Sequence, residues 1–428
     1  MTGTERVFWW DTVTMPTAAP EPPGGKVDVA VIGSGITGLA AARTLAKQGA
    51  TVAVLEAQTL GWGASSRNGG MVLTGLRLGV DTLLARYGRE RARRLFAASL
   101  DAIDTLEQLI DEERIECDFA RTGHLEVASK PAHFAHFAQV AELSAREFDH
   151  PVRPVAPAEL RSEIGSARYC GGIVDEMSAG INPARYVAGL ARAAQRAGAV
   201  LYDHTPVEQI EPAGAAFRII TGRGVLQAGN VFVATGGYTG RVTPALQKKV
   251  FPVGSHIIVT EPLTAALAHE LSPRNRMMFD SKNFLYYFRL TPDRRLLFGG
   301  RAAYAPETPA TVGKRTAVSR RGLVEVYPQL RDAAIDYTWG GAVDVSFDRM
   351  PHAGQLGGLY YALGYAGHGV ALATYLGGIM AERICGQTVD NPFATLPFPG
   401  APLGLYNGRP WFLPLVERWY RFVDRLPG

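Results

Sequence analysis

The sequence predicts an α/β fold in which a discontinuous, Rossmann-like dinucleotide-binding domain carries an α+β domain built on a mixed or antiparallel sheet. Three observations predict it. A β-branched strand, a glycine turn, a helix and a second strand follow one another over residues 27–56. A buried mid-chain strand ends in small residues over 231–237, and a late strand, glycine turn and apolar helix fill the run from His352 to Ala381, which has no Asp, Glu, Lys or Arg. With 428 residues, 47% of them hydrophobic and 20% charged, the chain is too long for one core and too apolar for disorder, so two packed domains are expected.

The N-terminal unit comes first. Val27-Asp28-Val29-Ala30-Val31-Ile32 has the composition of a buried parallel strand. Gly33-Ser34-Gly35-Ile36-Thr37-Gly38 follows, then a helical stretch closed by Gly49, then the strand Thr51–Leu55 tipped by Glu56. In such a unit the first glycine permits the tight turn, the second lets the backbone approach a pyrophosphate, and the third lets helix and strand pack closely. The helix N-terminus then presents unpaired N–H groups and its positive dipole end to the phosphates. Glu56, eighteen residues past Gly38, is placed to accept hydrogen bonds from a ribose. No second strand-GxGxxG-helix unit occurs, so one dinucleotide is expected, with Val231–Gly237 returning under it.

After that strand, residues 61–70 read Gly-Trp-Gly-Ala-Ser-Ser-Arg-Asn-Gly-Gly, a loop able to wrap a ligand with its backbone. A helix is predicted from about Arg89 to Glu113. A strand pair is predicted at 284–290 and 296–301, its period-2 alternation placing Tyr287 and Arg289 on one face and Tyr286 and Phe288 on the other. Glycines divide the charge-free run into a strand at Leu359–Leu363, a loop and a helix from about Val370, which argues against a membrane span. Residues 409–426 carry a helical stripe of Phe412, Leu415, Val416, Trp419 and Val423, expected to pack on its own subunit or a partner, with a membrane surface as the less favoured alternative.

The charge balance of 44 basic and 40 acidic residues gives only +4, with no case for a nucleic-acid partner. Cys117, Cys170 and Cys385 stand in no metal or disulfide spacing, so no metal site is expected. Residues 1–16 lack an apolar secretory core, and a cytoplasmic location is the expectation.

Taken in order, the fingerprint, the 61–70 loop, Asn182-Pro183-Ala184-Arg185-Tyr186, Ala234-Thr235-Gly236, Tyr287-Phe288-Arg289-Leu290, Leu297-Phe298-Gly299-Gly300-Arg301, Trp339-Gly340-Gly341, Asp348-Arg349-Met350-Pro351 and Gly364-Tyr365-Ala366-Gly367-His368-Gly369 run through nearly the whole chain. In them the sequence resembles the glycine/sarcosine/D-amino-acid oxidase superfamily of FAD enzymes, and within it the bacterial γ-glutamylputrescine oxidase-like branch. The resemblance implies FAD contacts from Gly33, Ser34, Gly35, Ile36, Thr37 and Gly38, from Glu56 and Ala57, and from Gly63, Ala64, Ser65, Arg67, Asn68, Gly69, Gly70 and Met71. It also implies them from Val207, Thr235, Gly236, Gly340, Gly364, Gly367, His368, Gly369 and Val370, with Tyr287, Arg289, Trp339 and His368 at the reacting end.

The implied activity is oxidation of a CH–NH or CH–NH2 group: hydride transfer to flavin N5, hydrolysis of the imine, and reoxidation by O2 to give H2O2. Partners would be a small amine or amino acid and O2. Residues 339–342 hold no cysteine and 61–70 no histidine, where relatives attach flavin covalently, so FAD is expected to be non-covalent. Val370-Ala371 stands where sarcosine oxidases place a carboxylate-binding lysine, which argues against a simple α-amino acid. With Tyr287 facing inward, Arg289 would hold a remote carboxylate. Leu297 or Phe298 replaces the oxygen-activating lysine, which leaves a dehydrogenase with another acceptor as an alternative, beside a flavin-binding protein without turnover. The expected domains are 26–85, 152–247 and 340–390 for FAD, 86–151 and 248–339 for substrate, and 391–428 as a tail with an amphipathic helix.

Overall fold

The computed structural model describes residues 5–301 and 308–425 and divides most of its strands between two eight-stranded sheets. In the first, Lys26–Ile32 lies between two parallel neighbours, Gly224–Val233 and Val52–Leu55, with Val200–Tyr202 outside the latter. Leu359–Leu363 joins Gly224–Val233 in parallel and pairs antiparallel with His352–Leu356. Ile32 is level with both Leu55 and Val233, so three strands end together and their following loops share one edge. Val29, Val31, Val52 and Val54 are buried in one core and Ala30, Ile32, Ala53 and Leu55 in another, as expected of parallel strands covered on both faces.

The second sheet runs Ile335–Ser346, Val250–Thr260, Leu296–Arg301, Tyr286–Leu290, Met277–Asp280, His124–Val127, Gly172–Asp175, Arg153–Val155. It is antiparallel except where Met277–Asp280 runs parallel to His124–Val127, so the predicted mixed sheet is present. The alternation along Tyr286–Leu290 holds: Phe288 and Tyr286 pack into one core with Phe298 and Tyr327, whereas Tyr287 packs on the opposite side with Trp9 and Trp339.

The segments are shared out differently from the expected division. The helix Arg89–Glu113, expected over the substrate domain, buries Leu95, Ile103 and Leu106 in the same core as Val31 and Val54 of the first sheet. Residues 153–175, expected in the nucleotide domain, supply the edge strand of the second sheet and the strand beside it. Ile335–Ser346 pairs with Val250–Thr260 along its whole length, so 340–346 also belongs there. Periodicity shows that a helix has an apolar stripe but not which sheet that stripe covers.

The helices Ile36–Lys47 and Gly369–Ile384 cross in contact on one face of the first sheet. Gly377 makes the contact close, since a Cβ there would lie 2.5 Å from the Thr37 carbonyl oxygen. The Asn182-Pro183 motif is a helix start: the Asn182 side chain accepts from the Arg185 N–H at 3.2 Å, and proline occupies the first turn of Pro183–Arg196. Among the described residues no helix is long and apolar enough to cross a membrane.

Gly377→Ala should lower the unfolding free energy by about 1–3 kcal/mol through overpacking. Gly378→Ala, where a Cβ meets nothing within 4 Å, should raise it by up to about 1 kcal/mol through helix propensity. Urea denaturation midpoints of the two variants compare them directly, and equal shifts would refute the close contact.

Candidate active site

At the shared edge of the first sheet each fingerprint glycine carries a separate constraint. Gly33 has φ +101°, a left-handed conformation, and a Cβ there would stand 2.9 Å from the Ala234 carbonyl oxygen. Gly35 caps the helix, and a Cβ on it would meet Ser65 Oγ at 2.8 Å. Gly38 lies so close to the strand that a Cβ would fall 2.0 Å from the Gly33 oxygen. The Ile36 N–H at the helix start donates to Ser65 Oγ at 2.9 Å, which seats the 61–70 loop over the helix N-terminus. Thr37 Oγ1 and Tyr365 Oη, 2.9 Å apart, tie the same helix to the late glycine turn.

Glu56 accepts from the Ser34 N–H at 3.0 Å and Ser34 Oγ at 2.8 Å through one oxygen, and from the Gln58 N–H at 3.0 Å through the other. Its carboxylate is braced beside the turn, next to the exposed Ala57. The Thr205 N–H donates to the Glu56 carbonyl at 2.7 Å, which brings the start of Val207–Ala213 to this edge. Val207 itself packs against the core below. Thr235 and Gly236 follow Gly224–Val233 at the same edge, Gly236 with φ +47° beside Asp344.

The 61–70 loop is stapled from within. Asn68 donates to the carbonyls of Ala64 at 3.1 Å and Ser65 at 2.9 Å and accepts from the Gly70 N–H at 2.7 Å. The Arg67 guanidinium stacks between the rings of Trp10 and Trp62, 4.5 and 4.3 Å from their centroids. It also pairs with Glu5 and donates to the carbonyls of Trp62 at 2.8 Å and Gly340 at 3.1 Å. Trp339 Nε1 donates to the Arg67 carbonyl at 2.8 Å, and the Gly340 N–H donates to Glu5 at 3.1 Å. Arg67 thus locks the loop to the second sheet with its own partners.

The late turn is shaped by Asp344, which the sequence did not single out. Its buried carboxylate accepts from the N–H groups of Gly364 at 2.5 Å and Tyr365 at 3.4 Å, and burial raises its pKa. Gly364 and Gly367 have φ +86° and +98°, and His368 caps the helix Gly369–Ile384. His368 Nδ1 is buried with no partner among the described residues. Burial first, then the charge of Arg77, pushes its pKa down to about 3, so the ring is neutral at ordinary pH.

A cavity of about 610 Å³ opens between the two sheets. Gly69, Met71, Gly340, His368 and Val370 line one part of it, and Tyr287 stands in the wall with its hydroxyl 2.8 Å from Ser255 Oγ. Burial pushes the Tyr287 phenol up to about 12, which keeps it neutral. Gly69 lies close against this ring, since a Cβ there would stand 3.1 Å from it.

Arg289 does not reach this cavity, contrary to the expected carboxylate role. It shares the face of Tyr287 but lies buried beneath the loop, donating to the carbonyls of Gly70 at 2.8 Å, Ile181 at 3.0 Å and Leu290 at 3.2 Å. Desolvation draws its pKa down to about 10, still charged. Alternation assigns a side, not a depth, and the loop closes over this position. Arg77 and Arg349 do line the cavity, and no motif marked Arg77 beforehand.

The tail also contributes. The helix Leu413–Arg425 packs on its own subunit and walls the cavity with Leu413, Val416 and Tyr420. Asp424 accepts from the N–H groups of Asn283 at 3.0 Å and Phe284 at 2.9 Å, and Lys130 donates to the Val423 carbonyl at 3.1 Å. Trp419 and Phe422 remain exposed on its outer side.

The turn, loop, strand ends and capped helix fit a dinucleotide with a redox-active ring: glycines where a Cβ would intrude, two helix N-termini, and an unpartnered buried nitrogen at the late turn. The class this defines is a dinucleotide-dependent oxidoreductase. The family model described as DAO, FAD dependent oxidoreductase, matches residues 28–383, and the chain belongs to that family. It is 36% identical over 425 residues to the probable oxidoreductase OrdL of Rhizobium meliloti (strain 1021), covering 98% of this chain and 97% of that one. It is 35% identical over 402 residues to the gamma-glutamylputrescine oxidoreductase of Escherichia coli (strain K12), covering 93% of each. Its fold matches the crystal structure of glycine oxidase from Geobacillus kaustophilus with a TM-score of 0.75 at 21% identity, over 88% of this chain and 100% of that one. The protein is an FAD-dependent oxidoreductase of the amine and amino-acid oxidase type.

Arg289→Ala should leave the Ile181 carbonyl unpaired, take one of its two donors from the Gly70 carbonyl, and cost about 1–3 kcal/mol in denaturant unfolding. It should lower kcat/KM equally for acidic and neutral amines, and a selective loss on acidic ones would restore the carboxylate role. Gly38→Ala should yield folded protein purified without flavin absorbance, or no folded protein. Normal flavin content in that variant would contradict the packing constraint.

Proposed function

We propose that the protein oxidises the carbon–nitrogen bond of a primary or secondary amine, with non-covalent FAD as first acceptor and O2 as final acceptor. The observation that carries this reading is the convergence on one cavity of the stapled loop, the Gly340 strand, the His368 turn and the neutral Tyr287. FAD, when bound, would supply the two-electron chemistry, accepting a hydride from the substrate carbon and passing both electrons to O2 as hydrogen peroxide, while water hydrolyses the released imine.

The residues around it bind, orient and exclude water. Gly35, Thr37 and Gly38 would offer backbone N–H groups at the helix N-terminus to the pyrophosphate, and Glu56 is the acceptor for a ribose. Gly63 to Met71 would hold the ring by backbone. The neutral His368 ring and the N-terminus of Gly369–Ile384 present donors and a positive dipole end, which favour negative charge on a ring lying over the turn. Tyr287, fixed by Ser255, orients the amine, and the apolar walls, Phe279 and Phe284 among them, slow water's access to the imine.

Oxidation requires the amine nitrogen unprotonated. His368 is already neutral above about pH 3 and Tyr287 stays neutral below about pH 12, so neither titrates in the working range. Between them kcat/KM should rise with pH and level off at the substrate's own amine pKa. A profile whose midpoint is the same for amines of different basicity would overturn this.

Leu297 and Phe298, both fully buried and apolar, favour a second reading in which another acceptor replaces O2. Anaerobic mixing with a panel of amines should bleach the flavin, and admitting air should restore colour with stoichiometric peroxide. Slow recolouring without peroxide supports the dehydrogenase, and no bleaching by any amine refutes both. Acid precipitation should leave the yellow colour in the supernatant; colour in the pellet would mean a covalent bond.

A further inference from the structure

The lining of the cavity carries two further cations. Arg77 follows the short strand Met71–Val72, and Arg349 sits in the tight turn between Ile335–Ser346 and His352–Leu356 with φ +62°. Both line the same cavity, and among the described residues neither guanidinium donates a hydrogen bond or joins an ion pair. The contrast with Arg67 and Arg289 is chemical. Those two are saturated by carbonyls, a carboxylate and aromatic faces, whereas Arg77 is half-buried with its donors unmet.

The surroundings make this arrangement costly without a ligand. Burial lowers the pKa of Arg77, and the like charge of Arg349 lowers it further. The one carboxyl acting on Arg77, Glu126, forms no ion pair with it, and its own pKa is pushed up to about 7 by burial, so it is only partly charged near neutrality. Tyr420 of the tail helix adds a hydroxyl-bearing ring to the same part of the wall. Arg77 and Arg349 bring two guanidiniums to this space against one acidic residue of the same lining, Glu417, which leaves a positive balance there. A planar carboxylate matches a guanidinium in charge and in hydrogen-bond geometry.

We propose that Arg77, assisted by Arg349, is the specificity-determining anchor for a carboxylate carried by the amine substrate at the end remote from the reacting nitrogen. This rests on the amine-oxidising reading and deepens it. The substrate lies along the cavity, its C–N bond at the end formed by Gly69, Tyr287 and His368 and its carboxylate at the arginine end, with Phe279 and Phe284 against the intervening chain. It assigns to Arg77 the role that the sequence had pointed to Arg289 for. The anchor holds the carboxylate and not the reacting nitrogen, so its contribution belongs in substrate binding.

The test uses FAD-loaded protein and a matched pair of straight-chain amines, one ending in a carboxylate and the other in the corresponding primary amide. Wild type should prefer the carboxylate member. Arg77→Ala should shrink that preference, expressed as the ratio of the two KM values, by about tenfold or more, with Arg77→Lys recovering part of it. Arg349→Ala, in an exposed turn, should shift the ratio in the same direction by less and serves should Arg77→Ala fail to fold. No preference in wild type, or parallel changes for both amines, overturns the proposal. Calorimetric titration with a non-oxidisable aliphatic monocarboxylate separates this from the reaction itself: binding to wild type that weakens about tenfold in Arg77→Ala supports the anchor even if neither amine is oxidised, and equal or absent binding refutes it.

Discussion

Everything at this site depends on how closely one helix approaches one strand. The Gly33 oxygen occupies the space that any side chain at Gly38 would need, and this draws Ile36–Lys47 down onto the sheet. The helix start is then level with the ends of three parallel strands. From that position the helix organises the rest: Ile36 holds Ser65 of the loop, Thr37 holds Tyr365 of the late turn, and its other side receives Gly377 of the second helix. A few tenths of an ångström here would be passed to segments hundreds of residues apart in the chain, because a close-packed interior transmits displacement.

The arginines divide the remaining work. Arg67 and Arg289 are buried cations whose partners are mainly backbone carbonyls, and they act as braces between the 61–70 loop and the second sheet. Buried charge is tolerated at these positions because carbonyls, a carboxylate and two indole faces replace the lost water. Arg77 and Arg349 lack such replacement and face the cavity instead. Identical side chains therefore serve opposite ends, fixing the cofactor loop in one case and receiving a ligand in the other. Distance along the chain does not indicate which.

The tail helix joins a part of the molecule distant in sequence to the wall of the cavity. Asp424 and Val423 fasten it to the 281–284 segment and to Lys130, while Tyr420 and Val416 line the cavity. Access to the reacting end is thus shaped by the last helix as well as by the second sheet. Its outward Trp419 and Phe422 are the residue of an apolar stripe only half used by this packing.

The sequence by itself determined the βαβ unit, the helix Arg89–Glu113, the strand–turn–helix of the charge-free run, and the face shared by Tyr287 and Arg289. These follow from local rules: glycine conformations, strand alternation and helical periodicity act over a few residues. Tertiary structure decided which sheet Arg89–Glu113 covers, that residues 153–175 join the second sheet, that Arg289 lies under the loop, that Asp344 shapes the late turn, and that Arg77 and the tail helix meet at one cavity. The physical reason is that depth, partner and enclosure are properties of packing between segments remote in sequence, where a side chain's role depends on what arrives opposite it.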